Sequence, residues 1–132
     1  MNAPSTTLQH ELLQKSELQA KVVRALEAHL PSYSLLWNAE DTVPFECDGL
    51  TAYRARPLVV ALPETYEQVQ AVLKTCHAMN VPVVARGAGT GLSGGAMPHT
   101  LGVTLSLARF NQILAVDPVS RTAVVQCGVR NL

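Results

Sequence analysis

The spacing of apolar residues changes several times along the chain. From about Ser5 to Leu30 the sequence is polar, with Leu8, Leu12, Leu13, Leu18, Val22, Val23, Leu26 and Leu30 set mostly at helical spacing. This predicts an amphipathic helix ended by Pro31, its apolar stripe a packing face. Residues 31–57 have no period. Pro31, Pro44, Asp48-Gly49 and Pro57 punctuate them, and Trp37, Phe45 and Tyr53 are spaced along them. Such a stretch predicts an irregular arm, either packed or functional.

Leu58 to Leu62 is a continuous apolar run, as in a buried strand. Pro63 to Gln68 then opens a helix, with Thr65 as cap and Gln68 at capping-box spacing. Val69, Val72, Leu73, Cys76 and Met79 supply its buried face, and Asn80 and Pro82 end it. Val81–Arg86 and Gly102–Leu107 read as strands. Ile113–Val116 and Thr122–Gln126 flank Asp117-Pro118-Val119-Ser120, a type I turn signal that makes them a hairpin. The order strand, helix, strand, loop, strand, hairpin implies an α/β layer with a mixed sheet.

Composition narrows the class. The 132 residues suit one small domain or part of a larger one. Ten basic and ten acidic side chains cancel, which argues against a nucleic-acid or polyanion binder. Cys47, Cys76 and Cys127 are far apart and form no Cys-x-x-Cys, so neither a zinc site nor a disulfide framework is expected. A reducing cytoplasm is the simplest setting. The first residues lack a signal-peptide pattern, and no apolar run is long enough to cross a bilayer. The sequence stops straight after a strand-like run, so an N-terminal fragment of a longer architecture is expected.

The densest chemistry lies in Arg86-Gly87-Ala88-Gly89-Thr90-Gly91-Leu92-Ser93-Gly94-Gly95, directly after a strand. Glycine is concentrated where the backbone turns with φ > 0 or approaches something closely. With Thr90 and Ser93 interleaved, the segment can aim several N–H groups and two hydroxyls at one anion, most often a phosphate. Gly89-x-Gly91-x-x-Gly94 matches the dinucleotide fingerprint formally. A Rossmann site needs a helix starting inside it, and Gly95 to Gly102 leaves no room for one. A kinase loop also lies between strands, but the next strand has no lysine. Gly91-Leu92-Ser93-Gly94-Gly95 satisfies the Gly-x-Ser-x-Gly hydrolase pattern. That elbow also needs a helix and a later histidine, and none follows His99. Ser93 therefore reads as a hydrogen-bond donor, with a serine hydrolase kept as an alternative.

A strand-to-strand glycine loop around the pyrophosphate of FAD remains. Pro82 to Gly95 resembles the FAD loop of the vanillyl-alcohol oxidase / p-cresol methylhydroxylase (PCMH) flavoprotein superfamily. Pro57-Leu-Val-Val-Ala-Leu-Pro63 with Glu67-Gln-Val69 is similar to its first strand and helix. Ile113 to Asp117 and Val125 to Val129 resemble the hairpin leading to its Pro-Gly-Val turn, with Cys127 in place of the usual proline, which loosens that turn. Cys47 to Pro57 and Gln126 to Leu132 are similar to the FAD-linked subunits of glycolate oxidases, relatives of D-2-hydroxyacid dehydrogenases.

The resemblance implies an α+β fold: the first subdomain of a PCMH-type FAD-binding domain, with a mixed sheet and helices, preceded by an N-terminal helix. Residues 1–54 would be helix and arm, and residues 55–132 the incomplete domain. It implies FAD held at Arg86, Gly87, Ala88, Gly89, Thr90, Gly91, Leu92, Ser93, Gly94 and Gly95. Binding would be non-covalent, because the loop has no histidine or cysteine. Arg86 either offsets phosphate charge or packs. The implied reaction is hydride transfer from a small 2-hydroxy acid, such as glycolate, to FAD, with catalytic residues beyond residue 132. No metal is implied. His10, His29, His77 and His99 read as surface or packing residues. Other oxidase subunits are implied partners, with a cytoplasmic location or peripheral attachment to the inner membrane through them. A non-catalytic FAD- or nucleotide-binding fragment is the alternative.

Overall fold

The computed structural model describes residues 6–130. The expected helix start at Ser5 and the last two residues, Asn131 and Leu132, lie outside that range. Nine helices and strands are described: α1 (Thr6–Leu26), β1 (Leu35–Leu36), α2 (Ala39–Thr42), β2 (Val59–Ala61), α3 (Tyr66–Ala78), β3 (Val83–Arg86), β4 (Val103–Ser106), β5 (Ile113–Asp117) and β6 (Thr122–Val125). Single 3-10 turns occupy Ser32–Ser34 and Val43–Phe45.

Two expectations about the first third are corrected. The first helix ends at Leu26, not at Leu30. His29 N–H bonds to Leu26 O at 2.9 Å while Leu30 N–H bonds to the same oxygen at 3.0 Å. The helix tightens and closes before Pro31 acts, and this places Leu30 in the core. Residues 31–57 are also not wholly irregular. Leu35 and Leu36 pair antiparallel with Ala61 and Val60, and Leu62 N–H to Ser34 O at 2.8 Å extends the ladder. A two-residue strand is too short to show a period of its own.

The four-stranded sheet runs β1-β2-β4-β3. β2, β4 and β3 are mutually parallel, so β2 and β3 flank the later β4, and α3 joins them. Side chains alternate across the pleat. Val59, Ala61, Val103, Leu105 and Val83 share one core with Val22, Val23 and Leu26 of α1 and Val72 and Cys76 of α3. The Gln19 side chain donates to Leu58 O at 2.7 Å and to Trp37 O at 3.2 Å, pinning α1 across the start of β2.

α3 is capped at both ends. Thr65 Oγ1 accepts from Gln68 N–H at 3.2 Å, and Gln68 Oε1 accepts from Glu64 N–H at 2.8 Å, one residue before the box position. Asn80 takes φ 55°, with Asn80 N–H to His77 O at 3.1 Å and Val81 N–H to Cys76 O at 2.8 Å. This is a Schellman ending, where asparagine tolerates the left-handed turn. Val69, Val72, Cys76 and Met79 face the core as expected, but Leu73 is 45% exposed. The stripe is narrower than the run of apolar residues and leaves Leu73 on its edge.

The hairpin pairs Ile113 with Val125 and Asp117 with Thr122, with a register shift between Ile113 and Ala115. It is a separate two-stranded sheet, exposed throughout. Asp117 Oδ1 accepts from Val119 and Ser120 N–H at 2.9 and 3.1 Å. Hydrogen bonding to Ser120 holds its carboxyl below the usual carboxylate range. Among the described residues no helix is long and apolar enough to cross a membrane.

Two outcomes follow from this packing. Leu26→Ala, at a fully buried position, should cost about 2–5 kcal/mol in denaturant unfolding. Burial pushes the Cys76 thiol up to about 11. At mildly alkaline pH, Cys127 should therefore alkylate readily and Cys76 only after unfolding. Between pH 9.0 and about 11 only the unfolded chain releases the Cys76 proton, so stability should fall across that window.

Candidate cofactor site

β3 and β4 lie side by side and point the same way. The chain leaving Arg86 must therefore travel back the length of a strand before Val103, and it does so through turns alone, with no helix between. Gly89 and Gly94 take φ 73° and 76°, conformations costly to any side chain. At the far end Val103 N–H bonds to Pro82 O at 2.8 Å. A Cβ on Gly102 would lie 2.6 Å from that oxygen, so the return is closed tightly against the start of β3.

The loop leaves its amides free. Among the described residues, no main-chain N–H from Gly87 to Gly95 donates to a protein acceptor, whereas Met97 N–H, just beyond, bonds to Gly94 O at 3.1 Å. Thr90, Gly91, Leu92, Ser93 and Gly95 are exposed, and Gly87, Ala88, Gly89 and Gly94 half-buried. A Cβ added at Gly91 or Gly95 would meet nothing within 4 Å. Neither packing nor a positive φ requires glycine there, so the space beside them is available to a ligand.

A cavity opens at the carboxyl ends of the parallel strands, where open α/β sheets bind ligands, and Ala88 is the loop residue on its border. A Cβ on Gly87 would lie 2.7 Å from Cys127 O, and one on Gly128 2.9 Å from Phe110 O. Ala88, Ala108, Asn111, Gly128, Val129 and Arg130 border a cavity of about 320 Å³. The turn that carries Cys127 instead of proline is held by Gly128 N–H to Phe110 O at 2.8 Å and Val129 N–H to Gln126 O at 3.1 Å.

The Arg86 side chain lies between the arm and the loop. Its Nη1 donates to Cys47 O at 2.6 Å, and the guanidinium lies 5.6 Å from the centre of the Phe45 ring. The same group lies against Gly89, where a Cβ would come within 2.7 Å of Nε. On the other side of this contact, a Cβ on Gly49 would lie 2.8 Å from both Thr90 O and Gly91 O. Asp48 is buried; its Oδ1 accepts from Leu50 N–H at 2.8 Å and its Oδ2 has no partner. Residues 45–49 are thus built against the loop, which sequence reasoning missed. The Asp48-Gly49 pair signalled a turn there but gave no indication of what the turn touches.

Other polar side chains stand apart. Arg54 pairs with Glu46 at 2.7 Å, and Tyr53 is exposed. All four histidines are exposed. His99 Nδ1 accepts from Leu101 N–H at 3.1 Å, and no histidine bonds to Ser93 among the described residues. Arg109, which drew no attention in the sequence, joins Glu64 at 2.5 Å and Ser34 Oγ at 2.8 Å, and so ties the segment after β4 to the β1 and α3 side of the fold.

A helix-free loop of free amides, open glycines and two hydroxyls beside a hollow suits a diphosphate ester. It does not suit a pyridine-nucleotide helix terminus or a nucleophile elbow. Comparison with known proteins agrees. Residues 57–132 match the family model described as an FAD binding domain. The chain is 56% identical over 114 residues to the glycolate oxidase subunit GlcD of Escherichia coli (strain K12), covering 86% of this chain and 23% of that one. It is 43% identical over 85 residues to a D-lactate dehydrogenase of Archaeoglobus fulgidus, covering 64% of this chain and 19% of that one. Among solved structures, p-cresol methylhydroxylase with substrate bound superposes with a TM-score of 0.71 at 29% identity, over 86% of this chain and 23% of that one. The chain thus spans under a quarter of the length of these proteins.

The glycines should separate cleanly on mutation. Gly89→Ala, strained in φ and pressed on Arg86, should lower unfolding free energy by about 1 kcal/mol or more. Gly91→Ala should stay within about 0.5 kcal/mol of wild type, measured by denaturant titration.

Proposed function

Because the chain belongs to the FAD-binding-domain family, whose cofactor is FAD, we propose that residues 86–95 form the diphosphate cradle of a flavoenzyme that oxidises a 2-hydroxy acid. The preferred substrate in this reading is glycolate, converted to glyoxylate. The observation that carries it is the run of free N–H groups from Gly87 to Gly95 at the carboxyl end of β3. The relative with 56% identity, a glycolate oxidase subunit, supports the substrate class.

In this reading the amides around Gly87, Ala88, Gly89, Thr90, Gly91, Leu92, Gly94 and Gly95 hold the diphosphate, and the Thr90 and Ser93 hydroxyls add hydrogen bonds. These are fixed dipoles aimed at negative charge, so they bind without reorganising. Gly91 and Gly95 keep the space clear for close approach. Binding is non-covalent, since the loop offers neither cysteine nor histidine. When bound, FAD supplies the hydride acceptor for the substrate carbon that bears the hydroxyl. No side chain of this chain is assigned to the substrate carboxylate or the hydroxyl proton. Those roles fall to parts of the relatives outside the matched segment, so this segment by itself does not turn over substrate. Residues 55–132 are the first part of the cofactor domain, with residues 1–54 as its helix and arm. Other oxidase subunits are the proposed partners, in the cytoplasm or held peripherally at the inner membrane through them.

Gly91→Leu tests the cradle. Its side chain should remove flavin binding, followed by quenching of FAD fluorescence, while leaving the thermal midpoint unchanged. Equal binding by the variant would refute the assignment. The chain, substituted for the matched segment of the Escherichia coli subunit, should sustain anaerobic bleaching of the flavin by glycolate. A flavin-loaded hybrid that no 2-hydroxy acid bleaches would refute the substrate class.

A further inference from the structure

We propose that Arg86 is a positioning residue rather than the counter-charge of the diphosphate, and that the arm segment Phe45–Gly49 is the support through which it sets the glycine loop. The functional meaning of this rests on the cradle reading above. The mechanical part stands on contacts within the chain.

Arg86 ends β3, so its backbone is fixed by the ladder to Ser106. Its guanidinium is engaged on three sides: by Cys47 O at 2.6 Å, by the Phe45 ring at 5.6 Å, and by Gly89, where a Cβ would force the guanidinium to shift. A planar group held between a ring and a backbone surface is something arginine provides and lysine does not. Gly49, two residues past Cys47, presses on the carbonyls of Thr90 and Gly91. The arm therefore touches the loop twice, once directly at Thr90-Gly91 and once through Arg86 at Gly89. These contacts fall on the Thr90 and Gly91 carbonyls and on the Gly89 Cα, and the loop N–H groups stay unpaired. A loop whose donors must stay unpaired cannot stabilise itself by internal hydrogen bonds, so its rigidity has to come from outside. The arm supplies it.

Charge and shape make opposite predictions for Arg86→Lys. A counter-charge survives that change, whereas a planar brace does not. The test is ¹⁵N relaxation on the 132-residue chain, alongside FAD titration, for wild type, Arg86→Lys, Arg86→Met and Phe45→Leu. The order parameters of the Gly87–Gly91 amides should fall from about 0.85 to below about 0.6 in both Arg86 variants, with the β4 amides unchanged. FAD affinity should weaken about tenfold in both alike. Phe45→Leu should move the loop in the same direction, and it decides the matter if an Arg86 variant fails to fold. A loop that stays rigid in Arg86→Met, or Arg86→Lys matching wild type while Arg86→Met loses affinity, would overturn the proposal. If the hybrid with the Escherichia coli subunit described above binds no FAD, the cradle reading fails, and the order parameters still decide whether the brace exists.

Discussion

Two parallel neighbours joined without a helix impose the constraint on which the site depends. After β3 the chain must return to the start of β4. Most such returns are made by a helix, which satisfies its own backbone. Here sixteen residues, numbers 87–102, make the journey in turns. Their first half keeps its N–H groups unpaired. In water those groups are solvated at no great cost, and beside a hollow at the sheet's carboxyl edge they are ready donors for an anion. Glycines at 89 and 94 make the path sterically possible, while those at 91 and 95 leave room beside it.

Free donors and a fixed path pull against each other, because the usual way to fix a loop is to bond it internally. The fold resolves this by packing carbonyls and Cα atoms instead of amides. Gly49 rests on the Thr90 and Gly91 carbonyls, Gly87 on the Cys127 carbonyl, and Gly89 on the Arg86 guanidinium. Each contact needs a missing Cβ. The glycine content of the region thus reflects two demands, one for clearance toward a ligand and one for close packing behind the loop. The N-terminal helix serves the same end at longer range. Gln19 and the face of Val22, Val23 and Leu26 hold the sheet on which both β3 and the arm are mounted.

Much of this was legible in the sequence. The loop and its lack of a following helix followed from glycine spacing and from the short distance to Gly102. Thr65 announced the start of α3, and Asn80 its end. What escaped notice has a common cause. β1 is two residues long and exists only because β2 offers it an edge. The Arg86 contact to Cys47 and the Arg109 contact to Ser34 span 39 and 75 residues. Pairings of that length leave no local periodicity, so a reading along the chain finds the residues and misses their partners. Leu73 failed for a different reason: an apolar residue on the edge of a stripe looks like one at its centre until the width of the packed face is known.

Amides that donate to a diphosphate must move in its presence. A ¹H–¹⁵N correlation titration of the chain with FAD tests the cradle most directly. Saturating shifts should concentrate on the Gly87–Gly95 amides and the adjoining residues 126–130, with α1 and α3 unmoved. Saturable binding that leaves the loop amides in place and shifts another surface would contradict it.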